Sequence, residues 1–173
     1  MADGPLLGDA YLRFIVEEVK PAIDKRFRTL AGPADTSVMG SSMGGLISLY
    51  AIAEYPHVFG QAACLSIHLP LTAPMAAHNR PPEGPQAVAA AFRAWLSGSR
   101  FDPKRNRVYL DHGTAGLDAS YPPFAEAIDA MLPTIGWVRG QTYELRSFTG
   151  TDHNERAWRE RIDIPLGFLD RRR

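Results

Sequence analysis

The chain has 173 residues, enough for one domain with a single core that buries roughly 70% of the unfolded chain's surface. Its 19 basic and 19 acidic side chains balance, so charge argues for neither a nucleic-acid partner nor an acidic substrate. The single cysteine, Cys64, excludes an internal disulfide, and neither CxxC nor Cys/His zinc spacing occurs, so no metal site is expected.

The opening residues, Met1 to Pro5, lack the charged head and apolar run of a secretory leader. No stretch approaches the ~18 apolar residues of a membrane span. A soluble, cytoplasmic protein with no membrane contact is the expectation.

Residues 9–30 read as a helix, with Asp9 as cap and Leu12, Ile15, Val16, Val19, Ile23 and Phe27 at helical spacing. Pro21 should kink or split it. A loop over 31–35 leads to Thr36–Gly40, a short β-branched and apolar run that predicts a buried strand. Residues 44–53 predict a helix ending near Tyr55-Pro56, and 61–67 a second strand. Residues 69–84 form a proline-rich loop, a candidate wall or lid, and 86–96 a helix anchored by Phe92, Trp95 and Leu96. Residues 107–111 predict the third strand and 119–132 a helix started by the Tyr121-Pro122-Pro123 turn. Residues 142–148 predict the fourth strand. A closing helix over 154–169 repeats Trp158, Ile162 and Leu166 four apart, with Pro165 as a possible break. Strands alternating with helices imply a mostly parallel α/β sheet of about four strands, covered by helices on both faces. Reactive groups should gather at the carboxyl ends of its strands.

Gly40-Ser41-Ser42-Met43-Gly44 matches Gly-x-Ser-x-Gly. A chain of this length matches by chance about one time in twenty, so the weight falls on context. The motif follows an apolar strand and opens an apolar helix, the setting of a nucleophile elbow. Ser42 is the expected nucleophile. Glycines at 40 and 44 would let the backbones approach, and the N–H of Met43 would supply one oxyanion donor at the helix start.

A serine nucleophile needs a base, and the base an orienting carboxylate. Of His57, His68, His78, His112 and His153, only His153 lies after the last strand, in a loop that ends at a helix start. His153 is the expected base. His112, at a strand end, is the rival, though a structural role suits it better. His68 follows the second strand and is the candidate substrate-binding side chain. Asp118, in the loop after the third strand, is the preferred acid. Asp111, on the strand itself, is the alternative, and Asp152 reads as a cap or a solvent-facing group. The order Ser42, Asp118, His153 is that of an α/β-hydrolase.

Tyr11 to Asp24, Gly40 to Gly45, Leu110 to Thr114, and Asp152-His153-Asn154-Glu155-Arg156-Ala157-Trp158 together resemble the carboxyl-terminal part of the putative-esterase family of α/β-hydrolases, which includes esterase D-like, feruloyl, acetylxylan and enterobactin-type esterases. The resemblance implies ester hydrolysis through an acyl-enzyme, without metal or organic cofactor. It also implies a truncated, minimal version of the fold, because family members carry about four more strands ahead of the helix that opens this sequence. Those strands bear the loop with the second oxyanion donor, and no Gly-rich loop stands upstream of Ser42. The nucleophile strand would then lie at the sheet edge, where exposed apolar strands invite pairing. A homodimer covering that edge is expected. The expected activity is a serine carboxylesterase acting on small acyl esters. The alternatives are an acetyl or feruloyl carbohydrate esterase, with Trp95 or Trp137 stacking on sugar, and a non-catalytic interaction module. The three terminal arginines are assigned no partner.

Overall fold

A computed structural model describes residues 6–71 and 84–170. Most of the proline-rich loop, His78 and the three terminal arginines therefore lie outside the described residues. Four parallel strands form one sheet in the sequential order β1-β2-β3-β4: β1 (Ser37–Ser41), β2 (Gln61–Leu65), β3 (Arg107–Gly113) and β4 (Tyr143–Phe148). The expected four-strand α/β architecture is the observed one.

Alternation along the strands separates two apolar layers. Ala62, Cys64, Val108, Leu110, Tyr143 and Leu145 face one side and pack with α3 (Met43–Glu54), α4 (Pro85–Gly98) and α5 (Pro122–Met131). Ala63, Leu65 and Tyr109 face the other, against Trp158, Ile162, Ile164 and Phe168 of the closing segment. The central strand β2 is buried at every position, as a parallel strand covered on both faces must be. β1, paired on one side only, is half open.

Three elements differ from their sequence reading. The first helix is not continuous over 9–30. It runs as α1 (Gly8–Phe14), a π-helical turn (Ile15–Val19) and α2 (Lys20–Arg26), and the chain is extended at Phe27. Pro21 has no N–H, and its ring clashes with the carbonyl four residues back. The widened turn just ahead of it, in which the Lys20 N–H bonds Ile15 O, accommodates the ring. Asp9 does not cap this helix; its Oδ1 accepts the Tyr50 hydroxyl at 2.5 Å and ties α1 to α3. The closing helix is also two, α6 (Glu155–Arg159) and α7 (Asp163–Leu169). The break precedes Pro165, which sits in the first turn of α7, a position that proline tolerates. It rotates Leu166 outward, 49% exposed, while Ile164 and Phe168 turn inward. Finally, β3 extends two residues past Asp111, so His112 and Gly113 belong to the strand.

No helix among the described residues is long and apolar enough to cross a membrane.

Candidate active site

Each strand delivers one part of the site from its carboxyl end. After β1, Ser42 takes φ 57° and ψ −121° and stands at the head of α3. A non-glycine residue with positive φ is strained, and such strain persists only when its surroundings hold it. Here the Ser42 N–H donates to Leu65 O at 2.9 Å, and Ser42 O accepts from the N–H groups of Gly45 (3.0 Å), Leu46 (3.3 Å) and His68 (3.4 Å). Gly40 makes the sharp reversal possible. A Cβ there would lie 2.5 Å from Gly44 O and 2.6 Å from Gly44 C. Gly44 itself differs from its sequence reading, since a Cβ at that position would meet nothing within 4 Å. Only the first glycine of the motif is sterically required. Met43 is the first residue of α3, so its N–H belongs to the helix-start donors that have no intrahelical acceptor.

The loop after β3 forms a short 3-10 turn, Gly116–Ser120, that buries Asp118 completely. Its Oδ2 accepts the Gly113 N–H at 2.7 Å and the Ser66 hydroxyl at 2.6 Å, and its Oδ1 lies 2.6 Å from His153 Nδ1. An ionised carboxylate only accepts, so Nδ1 donates to it, and in the neutral ring Nε2 keeps its lone pair. The His153 ring is held edge-on between Trp158, 5.1 Å away centroid to centroid, and Tyr121, at 5.7 Å. Its loop is fixed in turn. Asn154 Oδ1 accepts the Ala157 N–H and caps α6, while Asp152, of the two roles read for it, is the solvent-facing group: it is exposed, accepts the N–H of His153 and lies over Gly116.

Asp111, the alternative acid, is fully engaged elsewhere. Oδ1 accepts the Ser66 N–H (2.8 Å) and Arg161 Nη2 (2.9 Å); Oδ2 accepts the Tyr109 hydroxyl (3.1 Å) and Arg161 Nε (3.2 Å). Both side chains of this ion pair are buried. Burial, with the Asp111 charge beside it, pushes the Tyr109 phenol upward, which keeps it a proton donor. Sequence reasoning missed Arg161 and Ser66 altogether.

His68 is buried, with Nδ1 2.6 Å from the Tyr121 hydroxyl. Burial, reinforced by the charge of Asp118, raises the Tyr121 phenol as well. His112 is buried too, its Nδ1 2.7 Å from the Gly113 carbonyl, and His57 is exposed. Trp137 is 4% exposed and stacks on Phe101 at 4.2 Å, and Trp95 donates to Glu54 while packing on Phe92. Trp137 is therefore a core residue, whereas Trp95 is half-buried.

A four-strand parallel sheet with a strained serine between its first strand and the following helix, and a His–Asp pair at neighbouring strand ends, is an α/β-hydrolase arrangement. The chain belongs to the putative esterase family, whose model matches residues 5–169. It is similar in fold to the enterobactin esterase of Shigella flexneri crystallised in the presence of 2,3-di-hydroxy-N-benzoyl-glycine, with 20% identity, a TM-score of 0.67, and coverage of 94% of this chain and 38% of that one. It is also similar to a ferulic acid esterase (16% identity, TM-score 0.67, 93% of this chain and 60% of that one). A third likeness is the ferulic acid esterase of Anaeromyces mucronatus, with 18% identity, a TM-score of 0.62, and coverage of 98% and 55%. In sequence it resembles the uncharacterized protein YbbA of Bacillus subtilis (strain 168), 35% identical over 60 residues, which are 35% of this chain and 24% of that protein. The chain thus spans about a quarter of the curated relative's length and well under half of the enterobactin esterase's.

Proposed function

We propose that the protein is a serine carboxylesterase that hydrolyses small acyl esters through an acyl-enzyme. The observation that carries this reading is the pairing of two features on one sheet. Ser42 stands in a left-handed turn at the start of α3, and the His153–Asp118 bond of 2.6 Å leaves Nε2 as a free base.

Ser42 Oγ attacks the ester carbonyl carbon while its proton passes to His153 Nε2. Asp118 stabilises the resulting imidazolium through Nδ1–H. The Met43 N–H donates to the tetrahedral oxyanion. Collapse expels the alcohol, which takes the proton from Nε2 and leaves acyl-Ser42. Water, deprotonated by His153, then releases the acid and restores the serine. His68, with the buried Tyr121 hydroxyl 2.6 Å from its Nδ1, forms one wall of the substrate space.

The same reading extends to assembly. Among the described residues, nine of the twelve exposed large hydrophobic side chains lie between Leu6 and Met43, on the first helical segment, on β1 and around them. A second copy of the chain covers this side, in a homodimer joined along the open edge of β1.

The test is hydrolysis of p-nitrophenyl acetate and butyrate together with covalent labelling by a fluorophosphonate. Wild type should turn over both esters and take the label. Ser42→Ala should lose the label and roughly 10⁴–10⁶ in kcat. Equal rates for the two proteins would refute the proposal.

A further inference from the structure

Ser66 follows the strand β2 directly, with φ 39°, and is completely buried. Its hydroxyl stands at the crossing of three side chains. Trp158 Nε1 donates to Ser66 Oγ at 2.9 Å, and Arg161 Nη2 donates to it at 2.9 Å. An indole N–H and a guanidinium can only donate, so both lone pairs of the hydroxyl are occupied. Its single proton then has one destination, Asp118 Oδ2 at 2.6 Å. With the Gly113 N–H on the same oxygen at 2.7 Å, the carboxylate is pinned in plane, and Oδ1 remains for His153.

We propose that Ser66 is a positioning residue, a hydroxyl locked as a one-way donor that sets the orientation of Asp118 and through it the direction of His153 Nδ1–H. This rests on the reading of Ser42, Asp118 and His153 as a triad. Arg161 does not act on Asp118 as a free cation, because its charge is matched by Asp111 at 2.9 Å. What reaches Asp118 is an oriented O–H dipole. Asp111, too far engaged to serve His153 itself, takes part by holding both Arg161 and the Ser66 N–H.

Ser66→Gly in the full chain tests this, since glycine accepts a positive φ without strain and the variant loses only the hydroxymethyl group. Two readouts are taken. One is the split between kcat and KM on p-nitrophenyl butyrate. The other is the downfield proton resonance of His153 Nδ1–H, assigned by its loss in His153→Gln. The expected result is a roughly 10- to 100-fold lower kcat with KM unchanged, as for loss of one charge-assisted hydrogen bond, and an upfield-shifted or exchange-broadened resonance. A wild-type kcat and an unmoved resonance in Ser66→Gly would overturn the proposal. The wild-type protein supplies a check independent of folding of the variant. The Ser66 hydroxyl proton should exchange slowly and show a nuclear Overhauser contact to the Gly113 N–H, and rapid exchange without that contact would also overturn it. The resonances report on Ser66 whether or not the wild type cleaves esters. Absence of ester turnover and of fluorophosphonate labelling would sink the esterase reading by itself.

Discussion

Asp118 and His153, the proposed acid–base pair, follow β3 and β4, and the groups that orient them come from β3, from α6 and from the turns after β2 and β3. Asp118 is fully buried, and the groups behind it, Ser66, Asp111 and Arg161, are each at most 3% exposed. Ser42 is reached differently. It follows the edge strand, its neighbour Met43 is 64% exposed, and Met39 on the strand is 41% exposed. The acid–base half of the site is thus enclosed by this chain's own residues, whereas the nucleophile half has a backbone held from one side only. In the first half, function should depend on individual hydrogen bonds. In the second, it should depend on backbone geometry and on whatever covers the edge.

The largest contrast is expected inside the enclosed half, between its two aspartates. Asp118→Asn should lower kcat by about 10⁴, because an amide at Oδ1 or Oδ2 no longer selects the Nδ1–H form of His153. Asp111→Asn should do the reverse. It leaves the Arg161 guanidinium buried without a counter-charge, a loss of about 3–5 kcal/mol. In a domain of this size that lowers the melting temperature by roughly 10 °C, while kcat of the folded fraction, which feels the change only through Ser66, falls far less than in Asp118→Asn. Kinetics and thermal melts of the two variants decide the matter, and an exchange of the two signatures would reassign the acid.

These two residues also mark how far the sequence could be read. The strands are legible because short apolar runs between turn signals leave few alternatives, and Ser42, Asp118 and His153 can be proposed as a triad because the motif and the chain order restrict the choice. The choice between Asp111 and Asp118 was open, since both lie at one strand end and differ only in which partner reaches them. That partner, Arg161, lies 50 residues further on and carries no local signature. Ser66 is equally silent, with its two donors 92 and 95 residues away. Pro21 announced an interruption, but not that it would be absorbed upstream as a π turn. Pro165 signals a possible break in the closing helix, but not that the break resets the helical face and turns Leu166 outward from the spacing of Trp158 and Ile162.

A smaller effect should separate the glycines of the serine motif. Gly40→Ala pushes a methyl into the Gly44 carbonyl, backbone against backbone, and should cost about 1–3 kcal/mol. The shift it forces on Ser42 should cost roughly 100-fold in kcat. Gly44→Ala enters open space on the first turn of α3 and should leave activity intact, with stability unchanged or raised by up to about 1 kcal/mol. If both variants behave alike, the turn is not held by the single close approach at Gly40.

The mildest test concerns the open edge. If a second copy covers β1, light scattering should give twice the 19.1 kDa of the chain at micromolar concentration, falling toward the monomer on dilution. Met39→Lys places a charge on the outward side of the edge strand, the device by which natural sheets discourage strand pairing. Its dissociation constant should rise at least about tenfold, because the ammonium must be desolvated within the contact. Its acid–base half, enclosed by the chain itself, should be undisturbed, so the His153 Nδ1–H resonance should match wild type. Turnover then becomes informative. A fall in kcat that tracks the monomer fraction would mean that the partner copy steadies the nucleophile turn. Concentration-independent turnover would mean that Leu65, Gly45 and Gly40 hold Ser42 unaided. A strictly monomeric wild type across concentrations would remove the homodimer, and the apolar side between Leu6 and Met43 would then need a different cover.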